Sequence, residues 1–64
     1  MRGMTTGPDL KTERLIARVT ITDLAERMGI SRMTLWVIER AANPTPERIA
    51  QYRAALADLM TARS

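Results

Sequence analysis

Gly29 and Ser31, two positions apart between two short apolar-periodic stretches, constrain this chain more than any other feature. A glycine where an apolar stripe stops supplies the left-handed residue that ends a helix, and a serine just beyond it supplies the oxygen that starts the next. The helix before the glycine opens at Thr20, which with Asp23 has the form of a capping box, and it turns Leu24, Ala25 and Met28 inward. The helix after Ser31 runs over 32–40. Helical geometry gives it an inner face of Leu35 and Ile38, with Thr34 alongside, and an outer face of Arg32, Met33, Trp36, Val37 and Arg40.

The remaining punctuation yields two more helices. Pro8 stands at a first helical position with Asp9 in the first turn, and Leu10, Arg14 and Ala17 share a face, which predicts a helix over 8–18. Residues 1–7 read as a flexible start without the apolar run of a signal peptide. Pro44 biases Asn43 out of the helical region, and Thr45 with Pro46 opens a last helix that meets no glycine or proline over 47–62. Its stripe is Ile49, Tyr52, Leu56, Leu59 and Met60, with Asp58 and Arg63 on the wet side. β-Branched residues nowhere gather into an alternating strand, so the expected fold is all-α, a four-helix bundle with a long last helix, forming one domain over 8–64.

Composition then narrows the function. The chain has 64 residues and neither His nor Cys, so the commonest general base, the best nucleophile and the usual zinc ligands are missing. The expectation is a non-enzymatic cytoplasmic protein with no metal, no cofactor, no small-molecule ligand and no membrane span. Ten basic residues against seven acidic ones give a net charge of +3, and Lys11 is the single lysine among the ten. Arginine carries the planar fork that suits phosphates and guanine edges, although a GC-rich coding sequence favours arginine equally well.

Leu24-Ala25-Glu26-Arg27-Met28-Gly29-Ile30-Ser31, continued through Ile38-Glu39-Arg40, resembles the helix-turn-helix of the XRE family, the lambda-type repressor and Cro proteins. Leu10-Lys11 with Arg14 resembles that family's first helix, and Asn43-Pro44 with Pro46 its loop into the fourth. The resemblance covers residues 10 to about 56. It implies a lambda-repressor-like bundle that binds double-stranded operator DNA as a homodimer, with the third helix in the major groove, acting as a Cro-like transcriptional repressor. Two positions and one helix depart from the family pattern. Ile21 stands where a phosphate-binding Gln is usual, Arg18 stands where Gly or Asn usually ends the first helix, and one long helix replaces a shorter one followed by a fifth. The turn at Arg18 is therefore expected to be made another way.

By that resemblance Arg32, Met33, Trp36 and Val37 face base edges, and Thr20, Ser31, Thr34, Arg40 and Asn43 lie along the backbone. Arg32 can take guanine O6 and N7 together. Met33 and Val37 have no hydrogen-bonding group, so they meet thymine methyls or pack on protein. Trp36 lies either against deoxyribose and thymine or at the centre of a protein contact. The resemblance also implies a structural ion pair between Arg14 and Glu39. Leu56, Leu59 and Met60 are candidates for self-association, with Leu59 and Met60 reaching Leu15 and Ile16 of the same chain or a second copy. The rival class is a protein-binding module, an antitoxin or inhibitor using the apolar outer face of the third helix.

Overall fold

Every helix among the described residues starts on a hydroxyl. Thr6, Thr20, Ser31 and Thr45 each accept a hydrogen bond from the backbone amide three residues on, at 3.1–3.2 Å. The computed structural model describes residues 5–62, and the helices so capped are α1 (Gly7–Ile16), α2 (Ile21–Met28), α3 (Arg32–Arg40) and α4 (Pro46–Ala62). The fold is the all-α bundle of four helices that the punctuation predicts, and its last helix is long. At Thr20 only the forward bond of the expected capping box forms; the reciprocal box is at Thr6, whose own amide donates to Asp9 Oδ2 at 3.0 Å.

Two of the helix ends share one device. At Gly29, φ is 73°, the Gly29 amide bonds to Glu26 O at 3.1 Å and the Ile30 amide to Ala25 O at 3.0 Å. This pair of bonds satisfies carbonyls that the helix leaves open and turns Ile30 back onto the core. Arg18 repeats it at φ 60°, with Arg18 N bonded to Leu15 O at 3.0 Å and Val19 N to Arg14 O at 3.2 Å. The turn is thus the one a glycine would make, carried by a residue with a Cβ, and α1 ends at Ile16 rather than at Arg18. Val19, thrown inward by that turn, is 4% exposed.

The start of α1 also differs from the expectation of a loose segment at 1–7. Gly7 is buried, its amide donates to Ala41 O at 2.7 Å, and a Cβ built on it would meet backbone of Ile38, Glu39 and Ala41 at 2.7 Å or less. The first turn of α1 therefore lies directly on the last turn of α3, and only glycine admits that approach. Residues 1–4 of the expected flexible start, and Arg63 of the expected wet side, lie outside the described residues.

α1 packs on α3, α2 packs on α3 and α4, and α1 meets α4 over a smaller area. Tyr52, Leu10, Leu24 and Leu35 are fully buried at the centre, with Ala25, Ile38, Ala55 and Leu56 around them. Leu56, a candidate for self-association, is instead a core residue, because the stripe of α4 that carries Tyr52 faces α1 and α2. Leu59 is half-buried against the same core, and Met60 is exposed. Leu15 and Ile16 remain 56% and 77% exposed, so Leu59 and Met60 of the same chain do not cover them.

The two special backbone positions should respond oppositely to exchange. Gly7→Ala is expected to lower stability by about 1–3 kcal/mol, because backbone atoms cannot yield as a flexible side chain can. Arg18→Gly is expected to raise it by about 1 kcal/mol by removing the left-handed penalty on a Cβ. Urea denaturation of both variants checks the signs.

Candidate nucleic-acid interface

Glu39 is the acidic residue of α3, and it points into the protein. Arg14 Nε donates to Glu39 Oε2 at 2.7 Å and Arg14 Nη2 to Glu39 Oε1 at 3.2 Å, a two-pronged pair between α1 and α3. Arg14 Nη1 donates to Val19 O at 2.9 Å, so the same guanidinium also holds the loop after α1. From α4 the Tyr52 hydroxyl donates to Glu39 Oε2 at 2.6 Å, and the Leu10 carbonyl lies 3.0 Å from the same hydroxyl oxygen. Among the described residues no buried side-chain N or O atom lacks a hydrogen-bond partner. The hydrogen bonds to Glu39 hold the Arg14 guanidinium above its ordinary pKa, and burial first, then the bond to Glu39, pushes Tyr52 well above the usual phenol range.

With Glu39 inside, the outer face of α3 carries no carboxylate. Met33, Trp36 and Val37 are 67%, 47% and 56% exposed, and Arg32 and Arg40 are exposed at the two ends. The Arg40 guanidinium carbon lies 4.3 Å from the centroid of the Trp36 ring, a cation–π contact between successive turns. The Arg32 guanidinium makes no hydrogen bond or ion pair with any described residue. A groove of about 610 Å³ between the starts of α2 and α3 is lined by Ile21, Ser31, Arg32, Met33 and Trp36. On the other side of Trp36, a recess of about 300 Å³ is lined by Pro8, Lys11, Glu39 and Arg40 together with the indole.

Lys11 thus joins the site, although as a solvated first-helix residue it carries no periodic signal of doing so. Its placement follows from the close approach at Gly7, which brings the start of α1 to the end of α3. Of the residues expected along a nucleic-acid backbone, Thr20 and Ser31 are exposed at helix starts with their oxygens engaged in capping. Thr34 is half-buried, its hydroxyl 2.9 Å from that of Ser31. Asn43 lies apart from these, in a groove of about 460 Å³ with Thr5, Pro44, Pro46, Ile49, Ala50 and Arg53.

The carboxylates of the other helices are arranged differently. Arg53 forks onto Glu13 at 2.7 and 3.1 Å, linking α4 to α1, and Arg27 bonds to Asp58 at 3.0 Å, linking α2 to α4. Asp23 and Glu26 lie on the α2 surface beside Arg27 and Leu59. No helix among the described residues is long and apolar enough to cross a membrane. No family model, curated protein or solved structure matches the chain.

The buried pair and the exposed pairs should separate sharply. Glu39→Gln leaves the Arg14 charge buried against a neutral amide, and is expected to cost about 3–5 kcal/mol, whereas Asp58→Asn at the exposed pair should cost less than about 1 kcal/mol. Alkaline pH gives a second test. Tyr52 keeps its proton in the folded chain beyond the pH near 10 where an unfolded tyrosine ionises, so its contribution is fully present below about pH 10 and is lost as pH climbs above it. The chain has one tyrosine. Its phenolate absorbance should therefore rise together with loss of helical circular dichroism, and Tyr52→Phe should remove that share of the alkaline loss.

Proposed function

We propose that this protein binds double-stranded DNA and reads its sequence with α3, as a small helix-turn-helix repressor. The observation that carries this reading is the outer face of α3: Arg32 and Arg40 exposed at its ends, Lys11 beside it, and the helix's one carboxylate, Glu39, turned inward and neutralised by Arg14. A phosphate lattice rewards a face of that kind, since nothing on it repels the backbone and the guanidinium forks can meet phosphate or guanine. The α2–turn–α3 unit supports the same reading. Its glycine end and serine start expose the first turns of α2 and α3 side by side around one groove, and the residues that make it are those that resemble the XRE family.

In this reading Arg32, Met33, Trp36 and Val37 meet base edges, and Arg40 with Lys11 meets phosphates. Thr20, Ser31 and Thr34 stand near the backbone; the Thr20 and Ser31 oxygens accept capping bonds, which leaves the Thr20 O–H and one O–H of the Ser31–Thr34 pair to donate to phosphate. Two copies on a palindromic site would place their α3 helices one helical turn apart, and Leu15 and Ile16 are exposed apolar side chains available to such a pair. The protein then acts in the cytoplasm wherever the DNA lies. A second reading, a protein-binding module, is favoured by one observation, the exposure of Met33, Trp36 and Val37 together.

Binding to a duplex should weaken steeply with salt, with a slope in log affinity against log salt of about −0.9 for every phosphate neutralised. Arg40→Ala should reduce that slope by about one, and Arg32→Ala should instead relax the preference at one guanine. Fluorescence anisotropy over a salt series reads both. A slope near zero for the wild-type chain would leave the protein-binding reading in its place.

A further inference from the structure

The outer face of α3 is built as two rows. Arg32, Trp36 and Arg40 follow each other at intervals of one turn, and Met33 and Val37 form the row beside them. The first row is committed in part, since Arg40 lies over the indole of Trp36. The second row is apolar and open. Met33 also borders the groove between α2 and α3, where Ile21 and Trp36 add apolar surface and the Ser31 hydroxyl is engaged with Thr34. Arg32, with a guanidinium unpaired among the described residues, and the Trp36 indole N–H are the side-chain nitrogen donors lining that groove.

A thioether and a branched alkyl cannot discriminate the donor and acceptor atoms of base edges. In the major groove the apolar group on offer is the methyl on C5 of a pyrimidine, which thymine always carries. Cytosine carries the same methyl when methylated at C5. The cations flanking the row, Arg32, Arg40 and Lys11, suit a polyanion as occupant, and the absence of an exposed carboxylate on the face removes the obvious objection to one. We infer that α3 reads DNA by C5-methyl groups: Met33 and Val37 seat methylated pyrimidines, thymine or 5-methylcytosine, while Arg32 takes a guanine beside them. The inference rests on the DNA-binding reading and specifies its ligand as methyl-bearing duplex.

Removing only the methyl tests it. The full chain is used to select duplexes from a random library, and each thymine of the selected site is then replaced singly by deoxyuridine, which keeps every hydrogen-bonding atom and every phosphate. Loss of one methyl contact should lower affinity roughly fourfold at one or two positions, the effect of about 0.8 kcal/mol for each buried carbon. In Met33→Ala the thymine and deoxyuridine duplexes should bind alike at one of those positions, and in Val37→Ala at the other. A site with cytosine at such a position should gain affinity when that cytosine is methylated at C5. Salt-dependent binding that persists with deoxyuridine tolerated everywhere would overturn methyl reading and leave DNA binding standing. Retention of no duplex at any salt would overturn both, and would assign the face to a protein partner.

Discussion

Burying a guanidinium and a carboxylate is costly unless each finds its partners in place, and the rest of this structure is arranged around meeting that condition for Arg14 and Glu39. Arg14 sits on α1, Glu39 at the end of α3, Tyr52 in the middle of α4, and the Val19 carbonyl just past the left-handed turn at Arg18. Three segments distant in sequence, α1 with the loop after it, α3 and α4, must come to one point for the pair to be satisfied. Hydrophobic burial around Leu10, Leu24 and Leu35 supplies the driving force, but it is non-directional and tolerates many arrangements. The polar network selects among them. The strained conformation of Arg18 belongs to the same requirement, since Val19 reaches both the core and the Arg14 fork only if the chain reverses there.

The network also fixes what the surface displays. Glu39 and Arg40 are adjacent on α3, so a rotation that buries one exposes the other, and the bond from Arg14 decides which. Gly7 sets the complementary distance: with the first turn of α1 resting on backbone at the end of α3, Lys11 comes beside Trp36 and Arg40. Fold and face are thus coupled through residues that lie beneath the face itself. A change at Gly7 or Glu39 would alter it without touching any exposed residue.

How much of this is legible in the sequence depends on whether the cause is local. The limits of α3, the left-handed Gly29 and the caps at Thr20, Ser31 and Thr45 follow from interactions within four residues, and each stands where the punctuation puts it. The outward placing of Met33, Trp36 and Val37 followed from periodicity for the same reason. Gly7 reads in sequence as part of a flexible start because its role is contact with residues more than thirty positions away, and a glycine next to a proline looks the same at a frayed end. Tyr52 was legible as a core residue, but its hydroxyl bond to Glu39 was not, since an apolar stripe says nothing of where a phenol tip points. Leu56 carries the same lesson: on a helix with a broad stripe, only the neighbouring helices decide which residues are core and which are left for a partner.

The cations divide along the same lines as the packing. Arg53 and Arg27 are spent on Glu13 and Asp58, tying α4 to α1 and α2. Those pairs are exposed, and pairs of that kind add little to stability. Their larger effect is on the field: each pair cancels its own charge, and Arg27 of the second lies beside Asp23 and Glu26. Lys11, Arg32 and Arg40 all border Trp36 and have no carboxylate of their own, while Glu39 at the base of the recess is already neutralised by Arg14. A net charge of +3 is modest as a total, but Lys11, Arg32 and Arg40 gather around one indole. On the proposed DNA-binding reading, a cluster of that kind would orient a polyanion before contact, and the helix whose inner face completes the core is the one turned toward it.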